Sequence, residues 1–431
     1  MKLKRKLSAI LACVTAAFTL TACSGSSTSA GGSSADSSSG GSTSTTSTDG
    51  DTIKIGVLED ISGDNSLVGV QKYHGAQLAI SEINAAGGIN GKQIEMVFAD
   101  GQSDNSVYQE MMNKFILEDN VDVIMGCYTS ASREAVRPIV EENNALLFYN
   151  NQYEGGVASH NVFCTGAIPE HQITTLIEGM IDEYGPKAYI IAADYNFGQI
   201  STMWVEQEIE KNGGELVGEE FIPLEVSQFS STIANIQAAQ PDFLVTLLVG
   251  TAQSSFYEQW GTSGIEGCPM ATTVNIAQGY EHKRFTPPAL ENMYVTATYV
   301  EELDTSASND FKDRWHAMFP DEPYIGMEAE SEYTGIYLYK AAVEKAGTTD
   351  VEEVIKALES GEISYDGPAG MVTVDGATHH AIRNVYLFKC NADHSLTLEK
   401  TWEAVKPDWL SSVKGIDLRE SAPNEQYTPL D

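Results

Sequence analysis

Basic residues are scarce in this chain: 25 Lys and Arg stand against 61 Asp and Glu, a formal net charge of −36. A surface of that sign repels phosphate backbones and anionic headgroups, so no nucleic-acid partner is expected. The charge serves solubility and does not identify a ligand. Histidine is sparse too, with eight residues and no H-E-x-x-H among them. Only His379 and His380 are adjacent, and neighbours on a strand point to opposite faces, so that pair cannot easily chelate one ion. No metal site and no cofactor is expected. Of the six cysteines, Cys13 and Cys23 fall in the N-terminal segment. Cys127, Cys164, Cys268 and Cys390 show no C-x-x-C spacing, and their apolar flanks favour buried thiols over a disulfide framework. Gly87-Gly88-Ile89-Asn90-Gly91-Lys92 has the glycines of a phosphate loop but no Ser or Thr after the Lys, and it ends a helix where such a loop begins one. With no catalytic constellation present, a hydrolase is the weakest reading, and no enzyme is expected.

Long apolar runs are missing as well. The uncharged stretch Leu7 to Ala22 follows Met1-Lys2-Leu3-Lys4-Arg5-Lys6 and falls short of the roughly 20 residues a bilayer span needs. A basic start, a short apolar region and small residues before a cut make a secretory leader over 1–22. Leu20-Thr21-Ala22-Cys23 resembles the bacterial lipobox, in which the Cys is acylated and becomes the new N-terminus. An ordinary leader with an accidental Cys is the blander alternative. Removing the four basic residues of the leader takes the charge to about −40. Residues 23–51 are almost entirely Ser, Gly, Thr, Ala and Asp, which bury too little apolar area to offset the entropy of ordering. They read as a flexible spacer between the lipidated Cys23 and a folded body. The membrane is thus met through the lipid anchor only.

From Thr52 strand-like and helix-like stretches alternate. Ile53 to Leu58, Gln93 to Ala99, Val121 to Met125 and Ala145 to Tyr149 read as strands. Between them lie helices at Tyr73 to Ala86, Val107 to Leu117 and Ser132 to Asn143. The grammar restarts after Pro169, with helices at His171 to Tyr184, Ile200 to Asn212, Ser230 to Ala239 and Ala252 to Gly261. Strands there are Ala188 to Ala193, Glu215 to Phe221, Asp242 to Val249, Met270 to Val274 and Asn292 to Tyr299. Helices Asn309 to Phe319 and Met327 to Ala346 follow, with late strands at Met371 to Val374 and Asn384 to Lys389. This order predicts an α/β chain of two doubly wound, Rossmann-like lobes joined by a multi-strand hinge. One lobe takes 52–168 plus about 300–370, the other 169–299 plus about 371–431. A ligand would lie where the C-terminal strand ends of both sheets face one cleft.

Four strings carry a resemblance: Gly126-Cys127-Tyr128-Thr129-Ser130, Phe148-Tyr149-Asn150-Asn151-Gln152-Tyr153-Glu154-Gly155, Ala193-Asp194-Tyr195-Asn196-Phe197, and Asp242 to Gly250. Together they resemble the type I periplasmic binding proteins, closest to the urea and short-chain amide receptor branch, over about Asp51 to Pro407. The resemblance implies ligand contacts at Tyr128, Ser130, Tyr149, Asn151, Tyr195, Phe197, Gly250 and Asn275. Ser130 and nearby N–H groups could address a ligand carbonyl at a helix N-terminus, or Ser130 or Ser132 could simply cap that helix. Asn151 offers both donor and acceptor to an amide. Tyr153 could wall the ligand or pack between lobes. Asn275 falls where relatives carry an acidic residue. That argues against an amino acid, because a buried ammonium without a counter-charge is costly.

The expected function follows from the same resemblance: a lipoprotein that captures urea or a short-chain amide and delivers it to an ABC permease with its ATPase subunits. A branched-chain amino-acid receptor and a ligand-sensing extracellular domain without transport are the alternatives.

Overall fold

The computed structural model describes residues 52–430 except Glu266 and Ala422. The leader, Cys23 and the spacer to Asp51 lie outside the described residues. The first half of the chain runs β1 (Thr52–Glu59), α1 (Ser66–Ala85), β2 (Gln93–Asp100), α2 (Asn105–Lys114), β3 (Val123–Gly126), α3 (Ser130–Glu142), β4 (Leu147–Tyr149), a short β5 (Val157–Ala158) and β6 (Val162–Cys164). The pattern then repeats as α4 (Pro169–Gln172), α5 (Thr174–Tyr184), β7 (Lys187–Ala193), α6 (Asn196–Lys211), β8 (Glu215–Ile222), α7 (Ser230–Ala239), β9 (Phe243–Leu247), α8 (Gly250–Gly261), β10 (Met270–Thr272), α9 (Glu281–Arg284) and β11 (Met293–Ala297). The remainder is α10 (Ser306–Met318), α11 (Met327–Ala346), α12 (Val351–Leu358), β12 (Ser364–Gly367), β13 (Gly370–Asp375), β14 (His380–Cys390), β15 (Leu396–Val405), α13 (Trp409–Ser412) and β16 (Glu425–Gln426).

All but β5 and β16, which form a separate two-stranded ribbon, join one mostly parallel sheet whose main path runs β2-β1-β3-β4-β6-β14-β11-β10-β9-β7-β8. Strand β14 joins its two halves. Its start lies parallel to β6 through His380 and Cys164 and pairs with β13, whereas its end runs antiparallel to β11 and β15. Helices cover both faces, so β3, β4, β9 and β11 are buried along their whole length, as the near-continuous apolar runs of parallel strands require. The fold class expected from the alternation is the one found.

Four thiols among the described residues are free. Cys127, Cys164 and Cys390 are buried, but Cys268 is half-buried rather than a core residue. His379 turns to Ser159 and Glu359 while His380 turns to Tyr153 and Thr378, so the adjacent pair serves two separate surroundings. Among the described residues no helix is long and apolar enough to cross a membrane.

Candidate functional site

The C-terminal ends of β3 and β4 face those of β7, β9 and β10 across a cleft. In doubly wound sheets this is where ligands sit, because helix N-termini and loops converge there. Eleven residues line the cavity: Tyr128, Thr129, Ser130, Tyr149, Asn151 and Gln152 from the first half, and Tyr195, Phe197, Val249, Val274 and Gln278 from the second. The cavity is small, with about 260 Å³ of empty volume even when the open solvent at its mouth is counted.

The first wall begins with strain. Cys127, directly after β3, sits at φ +71°, a conformation that favours glycine. Its carbonyl is held there by the Lys72 ammonium, which donates to it at 2.8 Å. Lys72 is fully buried and pairs with Glu59 at 2.7 Å. The forced turn throws Tyr128 across the cleft, and its hydroxyl donates to Gln278 Oε1 at 3.1 Å. Tyr149, at the end of β4, donates its hydroxyl to the Tyr128 carbonyl at 2.9 Å. Burial holds the phenols of Tyr128, Tyr149 and Tyr195 above their usual range, so all three stay uncharged donors.

Helix α3 starts at this wall. Its N-cap is Thr129, whose side chain accepts from the Ser132 amide at 3.0 Å while Ser132 Oγ accepts from the Thr129 amide at 3.1 Å. The cap is therefore Thr129 with Ser132 in reciprocal pairing, not Ser130. Ser130 Oγ instead donates to Glu154, a fully buried carboxylate also bonded by Arg133 at 3.1 Å. The single proton of Ser130 is thus committed away from the cleft, and its oxygen remains as an acceptor. Asn151 donates its amide nitrogen to the Gln152 carbonyl at 3.1 Å. That fixes the amide orientation and leaves Asn151 Oδ1 without a hydrogen-bond partner among the described residues, as is Gln152 Oε1.

Behind this wall lies Glu328 at the start of α11. It accepts from the Gln152 amide at 3.1 Å and from Gln278 Nε2 at 3.1 Å. Burial raises its pKa to about 7, opposed by the charge of Lys72 and by these hydrogen bonds. The second wall is apolar and aromatic. Tyr195 and Phe197 open α6, with ring centroids 6.1 Å apart. Gly198 lets that helix start tightly against β7, since a Cβ there would lie 1.9 Å from the Ala193 carbonyl oxygen.

Six of the eight residues expected from the sequence meet at this cavity: Tyr128, Ser130, Tyr149, Asn151, Tyr195 and Phe197. Gly250 does not line it. It is exposed at the start of α8, and its neighbour Val249 supplies the contact. Asn275 opens a π-turn over Asn275–Gly279, its side chain lies outside the described residues, and Gln278 of the same turn faces the cavity. Tyr153 is no part of the wall. It is fully buried, with the Arg133 guanidinium 4.4 Å from its ring centroid and its hydroxyl bonded to His380. Gln152, Gln278, Thr129, Val249 and Val274 were not expected. Gln278 carried no signal at all, because a π-turn has no apolar period.

Two doubly wound sheet halves facing one small cavity, with no Lys, Arg, Asp or Glu in its lining, fit a small-molecule binding protein. The chain belongs to the periplasmic binding protein family: the model for "Periplasmic binding protein" matches residues 52–395. It is similar to the leucine-, isoleucine-, valine-, threonine-, and alanine-binding protein of Pseudomonas aeruginosa, 23% identical over 332 residues, covering 75% of this chain and 86% of that one. It is similar also to Leu/Ile/Val-binding protein homolog 6 of Brucella abortus, 20% identical over 78% of this chain and 87% of the relative. Among solved structures, the solute binding protein of an ABC transporter from Rhodopseudomonas palustris BisB5, in complex with 3,4-dihydroxybenzoic acid, superposes with a TM-score of 0.73 at 19% identity. That match covers 83% of this chain and 99% of that one. A branched-chain amino-acid ABC transporter periplasmic ligand-binding protein from Burkholderia xenovorans LB400 gives 0.71 at 19% identity, over 82% and 96%. These neighbours confirm the type I fold. Family members are extracytoplasmic binding proteins, and the chain is not an enzyme.

Proposed function

We propose that this protein captures a small uncharged amide, urea included, and delivers it to an ABC permease. The supporting observation is the lining. No Lys, Arg, Asp or Glu is among the cavity residues, and three buried oxygens, on Ser130, Asn151 and Gln152, call for N–H donors. A ligand rich in N–H groups satisfies acceptors that are otherwise costly to bury. Its carbonyl can take the first-turn amides of α3, which have no acceptor within the helix. Tyr195, Phe197, Val249 and Val274 exclude water on the other side, so a few hydrogen bonds suffice for affinity. The two sheet halves act as lobes that open to admit ligand and close over it. Acylated Cys23 and the spacer tether them to the outer face of the membrane.

A branched-chain amino acid is the second reading. It is favoured by the meeting of three helix starts, α3, α6 and α8, at the cavity, which would suit a carboxylate. Its ammonium, however, would meet no carboxylate in the lining. The narrow volume also disfavours a ligand the size of a hydroxybenzoate. A thermal-shift panel of urea, formamide, acetamide, leucine, valine and 4-hydroxybenzoate tests the reading, since a ligand bound to the folded state raises the melting temperature. Stabilisation by urea or an amide and not by the acids supports it, and the reverse pattern overturns it.

A further inference from the structure

The C-terminal segment lies beyond the residues the family model matches, which end at 395, yet it returns to the buried groups behind the Ser130 wall of the cavity. Strand β16 pairs antiparallel with β5, Gln426 opposite Val157 and Glu425 opposite Ala158. The Tyr427 amide donates to the Gly156 carbonyl at 2.8 Å. Gly156 holds φ +83°, and a Cβ there would stand 1.8 Å from the Tyr427 carbonyl oxygen, so the docking is a backbone-to-backbone fit that a side chain would block. Arg137 of α3 also donates to Asn424.

This docking inserts the Gln426 amide into the buried Arg133–Glu154 pair. Gln426 Nε2 donates to Glu154 Oε1 at 2.6 Å and to the Gly155 carbonyl at 3.0 Å, while its Oε1 accepts from Arg133 Nη2 at 3.3 Å. Glu154 Oε1 therefore has two donors, Arg133 and Gln426, and its Oε2 faces Ser130. Taking Gln426 away leaves a buried carboxylate oxygen one donor short, and the carboxylate turns toward the donors that remain.

We propose that Gln426 is a positioning residue of the ligand cleft. Through Glu154 it holds the Ser130 hydroxyl turned inward, so that Ser130 meets the ligand as an acceptor. The C-terminal segment is then part of the binding site and selects for N–H donors. This rests on the reading of the cleft as an amide site.

The test is a double-mutant cycle on the full chain, titrated with acetamide by calorimetry. Gln426→Ala and Ser130→Ala should each weaken binding about tenfold, the worth of one hydrogen bond in a dry site. The double variant should bind no more weakly than Ser130→Ala, because Gln426 acts through Ser130. Asn424→Ala removes only the Arg137 contact and leaves the β16–β5 pairing and the Gln426 bonds in place, so it should keep wild-type affinity. Multiplicative losses in the double variant, or an equal loss in Asn424→Ala, would overturn the proposal. Gln426→Met keeps the volume and serves if Gln426→Ala does not fold. A ligand-free crystal structure of either Gln426 variant decides the matter even if acetamide does not bind the wild type, a result that sinks the amide reading alone. Ser130 rotated away from Glu154 supports the positioning role, and an unmoved Ser130 refutes it.

Discussion

Tyr128 and Gln278 meet across the cleft, the hydroxyl of one donating to the side-chain oxygen of the other at 3.1 Å. The first follows β3 and the second lies in the turn after β10, so this bond links the two sheet halves at the ligand cavity. Gln278 also donates to Glu328, so it ties the turn after β10 to α11 as well.

Gln278→Ala should therefore favour the open cleft. Losing the bonds to Tyr128 and Glu328 should weaken ligand binding by roughly 1–2 kcal/mol, or about 5- to 30-fold. Most of the change should appear as faster dissociation in stopped-flow measurements. Unchanged affinity and dissociation rate would show that Gln278 does not hold the halves together.

Tyr195 and Phe197 wall the cavity from the second half. Tyr195→Ala removes one face of the ligand's surroundings and should cost roughly 0.5–1.5 kcal/mol of binding beyond the apolar area lost. The ligand-free melting temperature should move less than for Phe197→Ala, because Phe197 is fully packed and Tyr195 only half-buried. Calorimetry and thermal melts on the two variants separate the roles.

Lys72 supports the strained turn at Cys127. It lies buried between Glu59 at 2.7 Å and Glu332 at 3.9 Å. Lys72→Met would leave Glu59 as an uncompensated buried carboxylate, a loss of about 3–5 kcal/mol. The pair Lys72→Met with Glu59→Gln should recover part of it. Guanidinium unfolding is the appropriate measurement, since urea is a candidate ligand.

Glu328 gives a pH signature. Its folded pKa of about 7 lies above the usual 4.5, so ionising it costs stability as the pH climbs between those values, and the cost is absent below them. Glu170, raised to about 7, and Glu281, raised to about 8, behave alike. His171 and His380, held near 3 by burial, act oppositely, adding stability as the pH rises from about 3 to 6.5. Comparing Glu328→Gln with wild type isolates one group. The variant should match wild type near pH 4 and grow relatively more stable toward pH 8. A difference in melting temperature that stays flat with pH would contradict the assignment.

Cys23→Ser should release the protein from cells or leave its precursor uncleaved. Membrane retention with normal mature mass would rule out the lipid anchor.

Much of this architecture is legible in the amino-acid order. Met327–Ala346 and Ser230–Ala239 are helices with the bounds their periodicity and flanking residues indicate. The first helix starts at Ser66 rather than Tyr73, because Val68, Gly69 and Val70 weaken the helical signal while Gly69 packs against the Asp60 backbone. Strand β15 escaped notice because most of its residues are exposed; pairing with β14, not burial of a face, holds it. At the site, aromatic and hydroxyl residues just after strands were visible. The commitments of their protons were not, since Glu154, Gln426 and Glu328 come together only in the fold.

If an uncharged N–H donor fills the cavity, acetamide and acetate should bind very differently. The two are nearly equal in size and differ in donors and charge. Calorimetric titration of the folded protein at pH 7.5, where free acetate is ionised, should show acetamide binding at least tenfold more tightly than acetate. Tighter binding of acetate would overturn the amide reading and point to a carboxylate ligand held by the helix starts.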